Sequence, residues 1–302
     1  MTIRKRLAMT LLVLLGCCAA GPSEVSAHEF WLTSDDSATG AGVAIYAFVG
    51  EGLDGEPIRY SAPYTESLRI YPPAGGSLPC IDLTGTTSHG GWTFAQLPPG
   101  TGGVVTFVSR FVDHEMEGAA FEAYLEEDGL DAIRDRWDFG AREGVVRERF
   151  RRAAKLYLPG PGPGPASFAE CGADMRSRRG GIEGKVRRDQ GIEFGSSPRV
   201  DPCVPVGLPL EIIPTMDPLC ARTNVEFLVY WNGRPLEGAF VRTWHDGRAV
   251  PAGSERTDAD GAVEFDVSLP GEWLISVVHM TPSQDPESDW ESTWASFTFR
   301  QR

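Results

Sequence analysis

Val225-Glu226-Phe227-Leu228-Val229-Tyr230-Trp231-Asn232-Gly233 is the stretch on which the fold turns. Its β-branched and aromatic residues predict a strand, and Asn232-Gly233 is a dipeptide that tolerates the positive φ angles of a tight hairpin. The same pattern repeats downstream. Phe240 to Trp244 runs into Asp246-Gly247, and Asp258-Ala259-Asp260-Gly261 leads into Val263 to Val267. Trp273 to Val278 and Ser296 to Phe299 bring the total to about seven short strands, the size of an immunoglobulin-like module. Asp258-x-Asp260-Gly261 lacks the remainder of a calcium loop and its bidentate Glu, so it reads as a turn.

Towards the N-terminus the pattern is again strand-like. Phe30-Trp31-Leu32, Val43 to Val49, Leu68 to Tyr71, Trp92 to Phe94 and Val104 to Val108 are separated by Gly, Pro, Asp and Ser clusters, as in an antiparallel sandwich. The period then changes. Phe121, Tyr124 and Leu125 share one face of a predicted helix over Phe121 to Leu130, and a second helix is predicted over Glu143 to Leu156, with Val146, Phe150 and Ala153 inward. Arg147, Arg149, Arg151 and Arg152 on that segment read either as an anion site or, preferred, as a solvated face paired with Glu126, Glu127 and Asp128. Pro159 to Pro165 alternates Pro and Gly, which excludes helix and central strand, and the polar stretch 166–205 reads as an insertion.

The expected architecture is therefore mainly β. Two β-sandwich domains are predicted: 28–158, with a short two-helix insertion, and the immunoglobulin-like 207–302. A Pro/Gly connector and Cys-bearing insertion, 159–206, joins them, and residues 1–27 form a signal peptide. Arg4, Lys5 and Arg6, the apolar run Leu7 to Leu15, and Val25-Ser26-Ala27 give that leader its layout. The run is too short for a membrane span, and no later segment reads as one. Cleavage after Ala27 is favoured. Leu14-Leu15-Gly16-Cys17 offers a lipoprotein cut at Cys17 as the alternative. Either places the protein outside the cytoplasm, in the periplasm or beyond.

Removal of the leader leaves 25 basic against 41 acidic residues, a net charge of −16. Such a chain repels nucleic acid and anionic membrane surfaces. Four cysteines remain, Cys80, Cys171, Cys203 and Cys220, and an even number in an exported chain predicts disulfides. Cys171 with Cys203 is favoured because both lie in the polar insertion, which leaves Cys80 with Cys220. None has the close spacing of a zinc site.

Cleavage after Ala27 would make His28 the terminal residue. A terminal histidine carries two metal donors, the free α-amine and an imidazole nitrogen, which can close a chelate around a first-row transition metal. Read blandly, His28 only opens an edge strand. Among His89, His114, His245 and His279, His279 is the best second ligand. It ends an apolar strand, and a hairpin would bring Asp289 and Glu291 towards it; the alternative is a core histidine bonded to Asp289. His114, in Asp113-His114-Glu115-Met116, is a third donor on a charged loop. The expected metal site is thus His28, His279, His114, Asp289 and Glu291.

Several motifs occur in a fixed order: H-E-F-W-L at His28, V-G-E-G at Val49, F-E-A-Y-L at Phe121, and R-E-R-F at Arg147 with Lys155 beyond. G-L-P-L-E-I-I-P follows at Gly207 with Asp217-Pro218 beyond, then V-V-H-M at Val277 and D-W-E-S-T-W-A-S-F-T-F at Asp289. Together they resemble domain of unknown function 4198, over essentially the whole mature chain. That resemblance implies NikM-like or CbiK-like periplasmic components associated with nickel and cobalt uptake, and so a membrane metal-uptake system as partner. The half from Leu208 also resembles collagen-adhesin B-type repeats and transthyretin-like modules, through T-D-A-D-G-A-V-E-F and the L-P-G-E-W-L turn.

Three functions fit these readings: a protein that binds or delivers nickel, cobalt or copper, expected first; a copper oxygenase built on a histidine chelate; and a structural or adhesive sandwich without a site. No nucleophile elbow, phosphate loop or zinc-protease motif occurs, which counts against ordinary hydrolases.

Overall fold

The structure, a computed structural model, describes residues 29–35, 42–72, 80–84, 91–137, 144–160, 202–220, 224–246, 248 and 250–301. Val225 to Gly233 forms the first strand and the turn of a hairpin, as its sequence predicts. Asn232 (φ 49°) and Gly233 (φ 74°) turn the chain back on itself, and Trp231 pairs with Arg234. Asp258 likewise closes a turn on its own backbone, its Oδ1 accepting the N–H groups of Asp260 and Ala262 at 2.9 and 2.8 Å.

The described strands form three sheets. The first contains β1 (Glu29–Asp35), β2 (Val43–Glu51), β3 (Asp54–Ile58) and β6 (Thr93–Leu97). A second contains β10 (Leu210–Pro214), β11 (Asn224–Trp231), β12 (Arg234–Pro235) and β15 (Ala262–Asp266). Between them lies a nine-stranded central sheet. It takes β4 (Thr65–Tyr71), β5 (Ile81–Asp82), β7 (Gly103–Ser109), β8 (Val112–Glu117) and β9 (Val145–Leu158) from one side of the 159–206 connector. From the other side come β13 (Phe240–His245), β14 (Gly253–Arg256), β16 (Gly271–Pro282) and β17 (Trp290–Gln301). Its order is β14-β13-β16-β17-β9-β7-β4-β5, with β8 on β9, and the two halves meet where β17 runs parallel to β9.

Side-chain alternation on the central strands assigns one outer sheet to each face. Ile275, Val277 and Phe297 pack with Leu210, Ile212 and Phe227 of the second sheet. Leu274, one residue out of phase, packs with Trp31 of the first. On β9, Ala154 and Leu156 join Phe30, Leu32 and Ile45, whereas Ala153 meets Leu208. Burying each of these large apolar side chains contributes about 1.5–3 kcal/mol, so the architecture is a three-layer β-sandwich whose middle layer is shared.

Helix α1 (Gly118–Glu127) buries Phe121, Tyr124 and Leu125 as predicted, and short α2 (Asp131–Arg134) follows it. Phe121 and Tyr124 stack on Trp290 and Trp294 at centroid distances of 6.0 and 5.6 Å. The second predicted helix, Glu143 to Leu156, is overturned. Its residues are the 14-residue strand β9, hydrogen-bonded to β7, β8 and β17. Val146 and Phe150 share a face at spacing four in a strand as well as in a helix, and the buried run Ala153 to Leu156, covered on both faces, hides the alternation that would have betrayed the strand.

No disulfide joins two cysteines among the described residues. Each favoured pair has one member outside them, Cys171 or the side chain of Cys220. The leader, Cys17 and most of the 159–206 segment also lie outside. Among the described residues no helix is long and apolar enough to cross a membrane.

Candidate functional site

β1 enters the molecule with a carboxylate. Glu29 is 4% exposed, and its burial beside the apolar run Phe30-Trp31-Leu32 is possible only because each oxygen finds a donor. Oε2 accepts the Gly52 N–H at 3.2 Å, while Oε1 lies 3.1 Å from Arg242 Nη2 and accepts the Ser276 hydroxyl at 3.4 Å. Gly52 can stand there because it has no side chain: at φ 62° a Cβ would lie 2.5 Å from the Trp244 ring. Trp244 in turn donates its Nε1–H to Ser276 Oγ at 3.1 Å and lies beneath the Arg242 guanidinium.

Arg242 has a second acid. Asp128, at the C-cap of α1 and 2% exposed, accepts its Nη2 through Oδ1. The other oxygen, Oδ2, is buried and finds no partner among the described residues. Two buried carboxylates therefore share one guanidinium. Desolvation opposes the second charge more than Arg242 favours it, and the Glu29 charge adds to that opposition, so the Asp128 pKa is pushed up to about 7. Desolvation also raises that of Glu29. With both acids ionised the group carries one uncompensated negative charge, and one added cation would balance it. The sequence signal was a charged residue inside H-E-F-W-L, Glu29, and an acid on the last turn of a predicted helix, Asp128; neither stood out because Arg242 lies far along the chain.

The expected metal ligands are not gathered into one place. His28 lies outside the described residues. Its chain neighbour Glu29 packs on the face of β16 that carries Ser276 and Val278, whereas His279 stands on the opposite face, its ring 4.7 Å from that of Trp231. Burial there lowers the His279 pKa. Glu291 shares the His279 face but is taken up by Arg149 at 3.6 Å. Asp289 accepts Arg147 Nη2 at 3.0 Å and its backbone N–H at 2.9 Å, and that guanidinium holds the carboxyl below its usual range. No bond joins His279 to Asp289. His114 is on β8, paired with Glu148. Among the described residues no three His, Cys, Asp or Glu side chains come together as a metal group. His89 lies outside them, and His245 packs on Trp273 with Nε2 2.9 Å from Pro270 O.

Arg147 and Arg149 of β9 form ion pairs, but their partners are not those expected. Arg147 and Arg149 pair with Asp289 and Asp285 of the β16–β17 hairpin, and Arg149 and Arg151 both lie over the Phe111 ring. Asp128, expected on a solvated pairing face, is instead a buried acid bonded to Arg242.

Two motif residues from distant parts of the chain also meet. Lys155 of β9 and Glu211 of β10, both almost fully buried, form an ion pair at 2.9 Å. Glu211 further accepts the N–H groups of Val206, Gly207 and Leu208 at 2.8, 2.9 and 3.2 Å. Tyr157 donates to Asp217 at 3.1 Å. These residues tie the turn before β10 to the central sheet, so R-E-R-F…K and G-L-P-L-E-I-I-P are two ends of one structural contact.

Residues 194–281 match the family described as Domain of unknown function (DUF4198). The resemblance read from the motifs is supported over that stretch, which is under a third of the 302 residues. No curated protein and no solved structure matches the chain.

Proposed function

We propose that this chain is an extracytoplasmic transition-metal-binding protein, handling nickel, cobalt or copper alongside a membrane uptake system, with the mature N-terminal His28 as its chelating ligand. The observation that carries this reading is the unpartnered Oδ2 of buried Asp128 beside Glu29, the residue that follows His28. With both acids ionised that group lacks one positive charge, and the chain end expected after cleavage is attached directly to it. An α-amine and an imidazole would chelate the ion, and Asp128 supplies an anionic oxygen to the same neighbourhood. Arg242 already holds one oxygen of each acid, which restricts the group to a single further cation. His279, Asp289 and Glu291 play no part in this set, because they are separated from Glu29 by the central sheet and two of them are engaged by arginines.

The reading is tested by calorimetric titration of nickel, cobalt and copper salts into the chain beginning at His28, the same chain with one alanine before His28, and the His279→Ala variant. The added alanine removes the free amine and should weaken binding by at least about tenfold, whereas His279→Ala should stay within about two-fold. Affinity should fall as pH drops through about 7 to 6, since protons compete for amine, imidazole and Asp128. Equal binding by all three proteins, or none, would sink the proposal.

A further inference from the structure

On the face covered by the second sheet, that cover stops at β9, leaving the same face of β7 and β4 to floor a cleft of about 360 Å³. Ser67, Arg69, Tyr71, Thr106 and Arg151 line it, the 206–209 turn forms one wall, and Asn232 closes an end. The volume lies within the ~300–1,000 Å³ of small-molecule sites.

The charge of the lining is what sets this cleft apart in an acidic protein. It contains two guanidinium groups and a single carboxylate, Glu66. Among the described residues neither Arg69 nor Arg151 has a carboxylate within ion-pair distance, unlike Arg147 and Arg149 further back on β9, although Glu66 and Glu291 lie in the field of Arg151 and Asp82 in that of Arg69. Arg151 is held in place from behind, with its Nε donating to Thr293 Oγ1 at 3.2 Å and its plane over Phe111, so its terminal nitrogens remain available. Arg69 is steadied by a hydrogen bond with Tyr71.

The register gives the spacing. Arg69 lies in line with Thr106 and Lys155, and Arg151 is four residues further back along β9. The two arginines thus stand two strands apart, about 10 Å across the sheet and about 13 Å along it, or about 16 Å between their Cα positions. With both long side chains lining one cleft from backbones this far apart, a molecule with two or three carboxylates on a short carbon chain suits the pair better than a single carboxylate, each group meeting a planar guanidinium fork. Thr106, Tyr71 and Asn232 provide hydrogen-bonding groups between them. We propose that this cleft binds a small polycarboxylate, a role independent of the metal chelate proposed above.

Citrate is the probe, titrated into the metal-free chain from His28 in chelator-treated buffer so that binding does not depend on the histidine chelate. Saturable one-to-one binding with Kd below about 1 mM is expected, with no measurable binding of its uncharged triethyl ester. Arg69→Gln and Arg151→Gln should each weaken citrate binding by about tenfold or more, Glu66→Gln should strengthen it, and Arg300→Gln, remote from the cleft, should leave it unchanged. Arg69 lies at the exposed rim and its replacement disturbs no packing, so that variant remains informative if Arg151→Gln unfolds. Absence of saturable binding, equal binding of the ester, or citrate affinity unaltered by Arg69→Gln would each overturn the proposal.

Discussion

Asp128 concentrates the energetics of the candidate site in one carboxyl group. Its pKa rises from 3.8 to about 7 because a second ionised acid beside Arg242 is costly in a buried setting. A carboxyl whose folded-state pKa lies above its unfolded value stabilises the fold in its protonated form. That contribution is complete below about pH 4 and is lost as pH rises through about 7. Glu29, Glu148 and Glu272, all raised by desolvation, act in the same direction. Buried His279 acts oppositely: its pKa is lowered, so its contribution is present above about 6.5 and is lost on acidification. Urea denaturation at about pH 5 and pH 7.5 should therefore show the metal-free protein losing stability at the higher pH, and Asp128→Asn should shrink that difference by more than about 1 kcal/mol. An unchanged difference would mean that Asp128 is already ionised or compensated by another cation.

β9 is the element on which both halves depend. Its even-numbered residues face the first sheet and α1, its odd-numbered ones face the second sheet and the cleft, and its hydrogen-bond partners lie both earlier and later in the chain. Lys155 shows how tightly it is fixed. The ammonium is fully buried against Glu211, whose remaining bonds anchor the turn before β10. Removing one member of a buried pair strands the other charge, at a cost of about 3–5 kcal/mol. Lys155→Met should accordingly lower unfolding free energy by about 3 kcal/mol or more in a denaturant titration, whereas Arg300→Met, which removes the exposed partner of Glu272 while Glu272 keeps its bond from Thr33, should cost at most about 1 kcal/mol.

For the molecule as a whole, the parallel pairing of β17 with β9 makes the central sheet continuous across the connector. The core formed by the first sheet and β9 and the core formed by the second sheet and β17 lie on opposite faces of one hydrogen-bonded layer. Neither can lose its middle layer without exposing the other. The chain from His28 should unfold in a single transition by both tryptophan fluorescence and circular dichroism. A truncation that ends before Trp290, removing β17, should fail to give a cooperative transition in either half. Two separated transitions, or a folded 28–158 fragment, would show the halves to be autonomous.

What the sequence determined by itself was local. Asn232-Gly233, the spacing of β-branched residues and the Phe121-Tyr124-Leu125 face act over a few residues, and they produced the mainly β sandwich class, the hairpin and α1. Tertiary structure decided whatever depends on partners remote in the chain. The segment 145–158 became a strand because β7 and β17 supply its backbone hydrogen bonds, which local spacing could not reveal, since its apolar positions suit both periods. The sheet placed His279 on the face opposite Glu29, the neighbour of His28, although His28 and His279 were expected to hold one ion. Glu29, Asp128 and Arg242 became one site because burial makes charges that are far apart in sequence answer to each other across a few ångströms of low dielectric.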